Sequence, residues 1–75
     1  MALAPTSGLH LTPRQRSVVE LRLSRFGRRE IAERLAISIE TVRYHLDEAR
    51  TVNGYADEVS LLIAFDRERR GHPTT

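Results

Sequence analysis

Residues 36–50 read AISIETVRYHLDEAR, and this stretch decides the fold. When its residues are placed about 100° apart around a helix, an apolar stripe forms on one side and a polar face on the other. The apolar stripe consists of Ile39, Val42, Leu46 and Ala49, and the polar face of Glu40, Arg43, Tyr44 and Asp47, with Thr51 continuing it just beyond the stretch. Ser38 stands one residue ahead, where its hydroxyl can accept a hydrogen bond from a first-turn amide. The stretch therefore predicts an N-capped helix that packs one face on a core and presents the other outward.

A shorter helical pattern comes immediately before this one. Residues 30–35 read EIAERL and carry apolar side chains at Ile31 and Leu35. Because only Ala36 and Ile37 separate the two patterns, the two helices must cross steeply. This is the helix-turn-helix arrangement, in which the second helix can lie in the major groove of DNA.

The segment upstream predicts a first helix. Thr12, Pro13 and Gln15 form a helix start with a capping box, and the helix should run to about Arg25. Arg22 falls within its apolar arc, so either a carboxylate pairs with this guanidinium or its stem packs while its head reaches water. Gly27 is predicted to begin the second helix.

The segment downstream predicts a fourth helix. Gly54 should end the third helix, and Asp57 should cap a helix that runs through VSLLIAFDRERR to Gly71. The apolar side chains of this helix spread over about 200°, which is wider than one core contact needs. One edge of the arc (Val59, Leu62, Ile63) or the other (Leu61, Phe65) should therefore face a second copy of the chain, and the sequence leaves open which. The residues selected for the dimer interface are Leu61, Leu62, Phe65 and Arg69.

Composition restricts the class of protein. A chain of 75 residues has room for one small domain with a limited core, which a dimer would stabilise. It has no cysteine, no signal peptide and no apolar run near the ~20 residues of a membrane span, so we expect a cytoplasmic protein that does not enter the membrane. The three histidines are far apart and form no nucleophile–base pair or metal spacing. We therefore expect no enzyme, no metal site and no cofactor.

The charges are unevenly distributed although their net value is only +2. Residues 14–34 hold seven arginines and three glutamates, whereas residues 35–66 hold two arginines and six acidic residues. All twelve cations are arginine, which suits phosphate and guanine contacts, although codon bias in a GC-rich genome would give the same composition. Arg28 and Arg29 stand on the first turn of the second helix beside free backbone amides, and this predicts phosphate contacts there.

Three segments together resemble a known family. LTPRQRSVVEL, REIAERLAIS and ETVRYHL, followed by Gly54 and a capped helix, resemble the LuxR-type (GerE-like) DNA-binding domain of bacterial transcription regulators over residues 11–70. The resemblance implies an all-α fold with a three-helix core, in which helices 2 and 3 contact DNA, and a C-terminal dimerisation helix. It also implies that Arg29 approaches phosphate and that Thr41 faces the groove together with Arg43, Tyr44 and Asp47, which the helical projection places outward independently. The full set of predicted DNA-binding residues is Arg28, Arg29, Ser38, Glu40, Thr41, Arg43, Tyr44 and Asp47.

Several residues depart from the LuxR-type pattern. Glycine is common in that family where Arg25 and Ala36 lie, and an apolar residue where Arg22 lies. A basic residue often stands in place of Asp47, which here can pair with Arg43 four residues earlier or accept from a cytosine amine. The pair Leu21–Arg22 and the preceding RQR also resemble region 4 of sigma factors, but that family would predict one more residue before helix 2 and no separate fourth helix.

The sequence predicts a disordered tail (1–10), a helix-turn-helix DNA-binding domain (11–71) and a second tail (72–75). Two hypotheses for the function follow. The first is a stand-alone bacterial or phage transcription regulator that binds double-stranded DNA as a homodimer. The second is a helix-turn-helix module whose acidic helix 3 binds RNA polymerase, a sigma factor or another regulator. A positive surface on helix 3 continuous with Arg28 and Arg29 would favour DNA, and an acidic surface would favour a protein partner.

Overall fold

The computed structural model describes residues 9–70, which form four α-helices and no strand. The helices are α1 (Pro13–Leu23), α2 (Arg28–Leu35), α3 (Ile39–Val52) and α4 (Glu58–Arg69). The predicted all-α, four-helix fold is confirmed. Positions 1–8 and 71–75 lie outside the described residues, and with them most of the first predicted tail, all of the second and the predicted end of helix 4 at Gly71.

The helix starts follow local sequence. The Thr12 hydroxyl accepts from the Gln15 amide at 3.1 Å, and the Gln15 side chain accepts from the Thr12 amide at 3.1 Å, which completes the predicted capping box. Gly27 has no side chain with which to cap α2, so only half of such a box forms, with the Glu30 carboxylate accepting from the Gly27 amide at 2.8 Å. Asp57 caps α4 through its carboxylate, as predicted.

Three turn residues adopt the left-handed conformation. Their φ angles are 76° at Arg25, 58° at Ala36 and 76° at Gly54. Arg25 lies beyond the end of α1, which stops at Leu23, two residues earlier than predicted. Arg25 and Ala36 are the two positions at which the LuxR-type pattern favours glycine, and the backbone explains that preference because a Cβ atom is strained there.

All four helices contribute to one core. Its buried apolar side chains are Val18 and Val19 from α1, Ile31 and Ala32 from α2, Val42, Leu46 and Ala49 from α3, and Leu61 and Phe65 from α4. Three members of the predicted α3 stripe are therefore buried, whereas Ile39 in the first turn is 36% exposed. The packing of α3 on α1, α2 and α4 leaves its polar face toward solvent.

The selection of Leu61 and Phe65 for a dimer interface is wrong. Both side chains are 0% exposed within a single chain, because α4 packs on α1 and α3 through this edge of its apolar arc. The other two residues predicted for the interface are the half-buried Leu62 and the exposed Arg69. On the opposite edge of the arc, Val59 is 64% exposed and Ile63 is 52% exposed. The apolar surface that α4 leaves exposed is therefore the edge that carries Val59 and Ile63.

The predicted N-terminal tail extends two residues too far. The Leu9 amide donates to the Glu68 carboxylate at 3.0 Å. The His10 amide donates to the Asn53 side chain at 2.7 Å, and the same side chain donates back to the His10 carbonyl at 3.0 Å. Leu9 and His10 therefore belong to the domain, since these bonds tie them to the C-terminal ends of α3 and α4.

Candidate nucleic-acid interface

The start of α3 is fixed by a local hydrogen-bond pair. The Ser38 hydroxyl accepts from the Thr41 amide at 3.0 Å, and the two hydroxyls lie 2.8 Å apart, within hydrogen-bond distance. Ser38 is thus the predicted N-cap, and the hydroxyls of two predicted DNA-binding residues are engaged with each other. This contact defines the first turn of α3, from which the polar face continues.

A groove of about 550 Å³ lies between α3 and the starts of α2 and α4. Its lining residues are Arg28, Glu40, Arg43, Tyr44, Leu46, Asp47, Arg50 and Glu58. Five of the eight predicted DNA-binding residues thus come together in one groove. Arg29, Ser38 and Thr41 do not line it, although Arg29 is exposed on the first turn of α2.

Arg43 and Tyr44 are both exposed in this groove. Tyr44 is 60% exposed, and its ring lies 5.9 Å from that of His45 at a tilt of 59°. Arg43 is exposed and makes no ion pair or side-chain hydrogen bond with residues 9–70. Both side chains can therefore reach an approaching ligand without breaking a contact inside the described part of the chain. His45 is half-buried, in keeping with a packing role.

Of the two alternatives predicted for Asp47, the ion pair with Arg43 does not form in the structure. Asp47 forms an ion pair with Arg50 instead. Arg50 is held in place because its guanidinium also donates to the carbonyls of Tyr55 at 3.0 Å and Ala56 at 3.2 Å, in the turn between α3 and α4. Asp47 pairs with the anchored Arg50, and Arg43 has no ion-pair partner among residues 9–70.

Glu58 is a groove residue that sequence reasoning missed. One of its carboxylate oxygens accepts from Arg22 Nε at 2.8 Å and the other from Arg28 Nη2 at 2.7 Å. Arg22 also donates to the Phe26 carbonyl at 3.3 Å. Of the two alternatives for Arg22, pairing with a carboxylate is therefore the correct one. The apolar surroundings of Arg22 were the only signal of such a partner, and they did not identify it.

The charges in the groove are balanced. Three arginines (28, 43 and 50) line it together with three carboxylates (40, 47 and 58). Arg28 and Arg50 both form ion pairs within the chain. The guanidinium of Arg28, which was predicted to bind phosphate, binds the carboxylate of Glu58 in the structure. The surface of α3 is thus neither continuously positive nor acidic, and Arg43 and Glu40 are the two charged groove residues without an ion-pair partner among residues 9–70.

A metal site and a membrane span are both absent from the described residues. Among residues 9–70, no group of three or more His, Cys, Asp or Glu side chains could hold a metal ion. Within the same part of the chain, none of the helices combines the length and the apolar character needed to cross a membrane.

A comparison with protein families identifies a helix-turn-helix family, in agreement with the arrangement of α2 and α3. The family model described as sigma-70, region 4 matches residues 9–51, which is more than half of the chain. The chain belongs to the sigma-70 region 4 family. This is a family of helix-turn-helix DNA-binding domains without enzymatic activity, and the expectation that the chain is not an enzyme is therefore confirmed. A comparison with curated proteins gave no match.

The family assignment refines the resemblance drawn from sequence. The LuxR-type resemblance is correct at the level of the helix-turn-helix superfamily, to which sigma-70 region 4 is related. The matching family itself is the one that the pair Leu21–Arg22 and the preceding RQR indicated. The separate fourth helix did not exclude it, because α4 (Glu58–Arg69) lies beyond the matched residues.

Proposed function

We propose that this protein regulates transcription by binding double-stranded promoter DNA with α3 in the major groove. The observation that carries the proposal is the pair Arg43 and Tyr44, exposed side by side on the second helix of the helix-turn-helix. A guanidinium matches the two acceptors of a guanine edge, and a bidentate contact of this kind discriminates between bases. Among promoter elements, membership of the sigma-70 region 4 family favours the −35 element.

Backbone contacts would come from the start of α2. Arg29 is exposed there, on the first turn of the helix. The backbone amides of this turn have no hydrogen-bond acceptor within their own helix. A phosphate at this helix start would be bound by those amides and by the guanidinium. Such contacts position a protein on the duplex, while base contacts provide sequence specificity.

The test starts with selection of bound duplexes from a random pool, followed by affinity measurements on the selected site and on single-base variants. If about four phosphates are neutralised, log K should fall against log salt with a slope of about −3.6. Arg43→Ala should relax discrimination at one base pair of the site by about 1–3 kcal/mol. The matched control is Arg14→Ala, which removes the same charge from an exposed position of α1 outside the groove.

Two outcomes would contradict this proposal. Equal weakening on every duplex by Arg43→Ala, as expected for Arg14→Ala, would mean that Arg43 contributes charge and no base contact. Absence of binding to any duplex in the pool at low salt would exclude DNA as the ligand of the groove.

A second copy of the chain is the proposed partner of the outer edge of α4. Val59 and Ile63 lie one helical turn apart on this edge, and both are exposed. The start of α4 is acidic and its end basic, so two antiparallel α4 helices would place opposite charges side by side. A two-fold contact of this kind would present two α3 helices to half-sites about one DNA turn apart.

A protein ligand for the groove is the second candidate function. It is favoured by the three carboxylates of Glu40, Asp47 and Glu58, which would repel DNA phosphates. In that case the groove would bind a basic surface of RNA polymerase, a sigma factor or another regulator. The duplex selection separates the two functions, because only the first predicts sequence-dependent DNA binding.

A further inference from the structure

Glu58 connects α4 to the DNA-facing side of the helix-turn-helix. It is the first residue of α4, the helix beyond the residues that match the family. Its carboxylate is bound to Arg28 at 2.7 Å and to Arg22 at 2.8 Å. Arg28 is the first residue of α2 and lines the groove, so it stands where a DNA phosphate would approach. The guanidinium of Arg28 therefore already holds an anionic group from its own chain.

The three side chains differ in how firmly they are held. Glu58 is 21% exposed and Arg22 30%, whereas Arg28 is 44% exposed. Arg22 is further fixed by its bond to the Phe26 carbonyl. Arg22 thus keeps Glu58 at the groove, and Arg28 is the member of the cluster that can turn toward solvent. A phosphate and the Glu58 carboxylate would compete for the same N–H donors of Arg28.

We propose that Glu58 competes with DNA phosphate for Arg28, so that α4 lowers the affinity of this protein for duplex DNA. The inference rests on the proposed DNA-binding function. When DNA binds, Arg28 exchanges the carboxylate for a phosphate oxygen, and Glu58 remains paired with Arg22. Glu58 also adds a third negative charge to a groove that already contains Glu40 and Asp47, and this repels the phosphates further.

The opposite role for Glu58 would be to orient Arg28 toward phosphate. The two roles predict opposite signs for Glu58→Gln, a variant that removes the charge and keeps the size of the side chain. Competition predicts that Glu58→Gln binds a random-sequence duplex about threefold more tightly than the unmodified protein at about 50 mM salt, the factor that corresponds to one surface ion pair. An orienting role predicts weaker binding.

Two control variants isolate the contact. Glu20→Gln makes the same change in net charge on an exposed position of α1 and should alter the affinity much less. Arg28→Gln removes the arginine for which carboxylate and phosphate compete. In the Arg28→Gln background, Glu58→Gln should lose most of its gain, and the double-mutant cycle measures this coupling directly.

Folding is controlled separately, since Glu58→Gln leaves Arg22 without a carboxylate. Circular dichroism melting is recorded for every variant. The combination Arg22→Leu with Glu58→Gln removes both partners of the partly buried pair, a replacement that proteins often tolerate well. It should show the same gain in affinity with an intact fold.

The proposal is overturned if Glu58→Gln binds DNA no more tightly than the unmodified protein. It is also overturned if Glu20→Gln gives an equal gain, or if the gain persists in the Arg28→Gln background. In each of these cases the unmodified protein still binds DNA, and the proposed function stands. If no variant binds any duplex, both the inference and the proposed function fail.

Discussion

Replacing Ala36 with glycine tests the turn of the helix-turn-helix. Ala36 ends α2 with φ 58° and ψ 45°, its amide donates to the Glu33 carbonyl at 3.3 Å, and the next amide, of Ile37, donates to the Ala32 carbonyl at 3.0 Å. For a residue with a Cβ atom this left-handed conformation costs about 1–2 kcal/mol. Glycine removes that cost, but it also raises the conformational entropy of the unfolded chain. This second effect lowers the free energy of unfolding by about 0.4–1 kcal/mol. The free energy of unfolding should therefore rise by about 0.5–1 kcal/mol.

The assay is thermal and urea denaturation followed by circular dichroism. For a domain of this size the expected gain corresponds to an increase of about 2–8 °C in Tm. Ala64→Gly is the matched control, because Ala64 lies inside α4, where glycine should destabilise by about 1 kcal/mol. A lower Tm for Ala36→Gly, comparable to that of Ala64→Gly, would refute the argument from left-handed strain.

Two further predictions concern α4. Phe65→Glu should unfold the chain, because this ring is fully buried, whereas Ile63→Glu should leave the melting curve nearly unchanged and convert the proposed dimer to a monomer in sedimentation. Survival of the dimer in Ile63→Glu would contradict the proposed interface. At the start of the helix, the backbone amide of Ser60, followed by its hydroxyl, lowers the pKa of Asp57. The stabilisation from this carboxylate should be complete above its ordinary pKa of 3.8 and lost as the pH falls through the lower folded value, and Asp57→Asn should remove this part of the acid denaturation profile.

The helix starts could be predicted from sequence because capping is local. Thr12, Ser38 and Asp57 each accept from an amide only three residues later, so a window of four residues contains the whole interaction. The same holds for the contact between Gly27 and Glu30. With these starts and the helical spacing of apolar residues, the four helices and most of the core were predictable.

Contacts between helices were not predictable in the same way. Arg22 clearly needed a carboxylate, but its partner Glu58 lies 36 residues away, and its choice depends on how α4 packs against α1. Asp47 had arginines within reach on both sides, three and four residues away, and carbonyls in the following turn decided between them by anchoring Arg50. Sequence spacing alone could not distinguish those partners, because both lie on the same helix face.

The edge of α4 that packs inward was equally undetermined by its sequence. The sequence shows that apolar side chains cover about 200° of α4. Which part of this arc packs inward depends on how the helix is rotated about its axis by its contacts with α1 and α3. Once Leu61 and Phe65 are buried, Val59 and Ile63 must point outward, since they lie on the other side of the arc.

The two sides of α4 are therefore under different physical constraints. The burial of Leu61 and Phe65 contributes about 3–6 kcal/mol, which is a large share of the stability of a domain this small. The inner face can change little without loss of the fold, and it fixes where the first turn of α4 stands. That placement brings Glu58 against Arg22 and Arg28. A helix outside the family match thus completes the core with one face, and its first residue contributes one of the three carboxylates of the groove beside the helix-turn-helix.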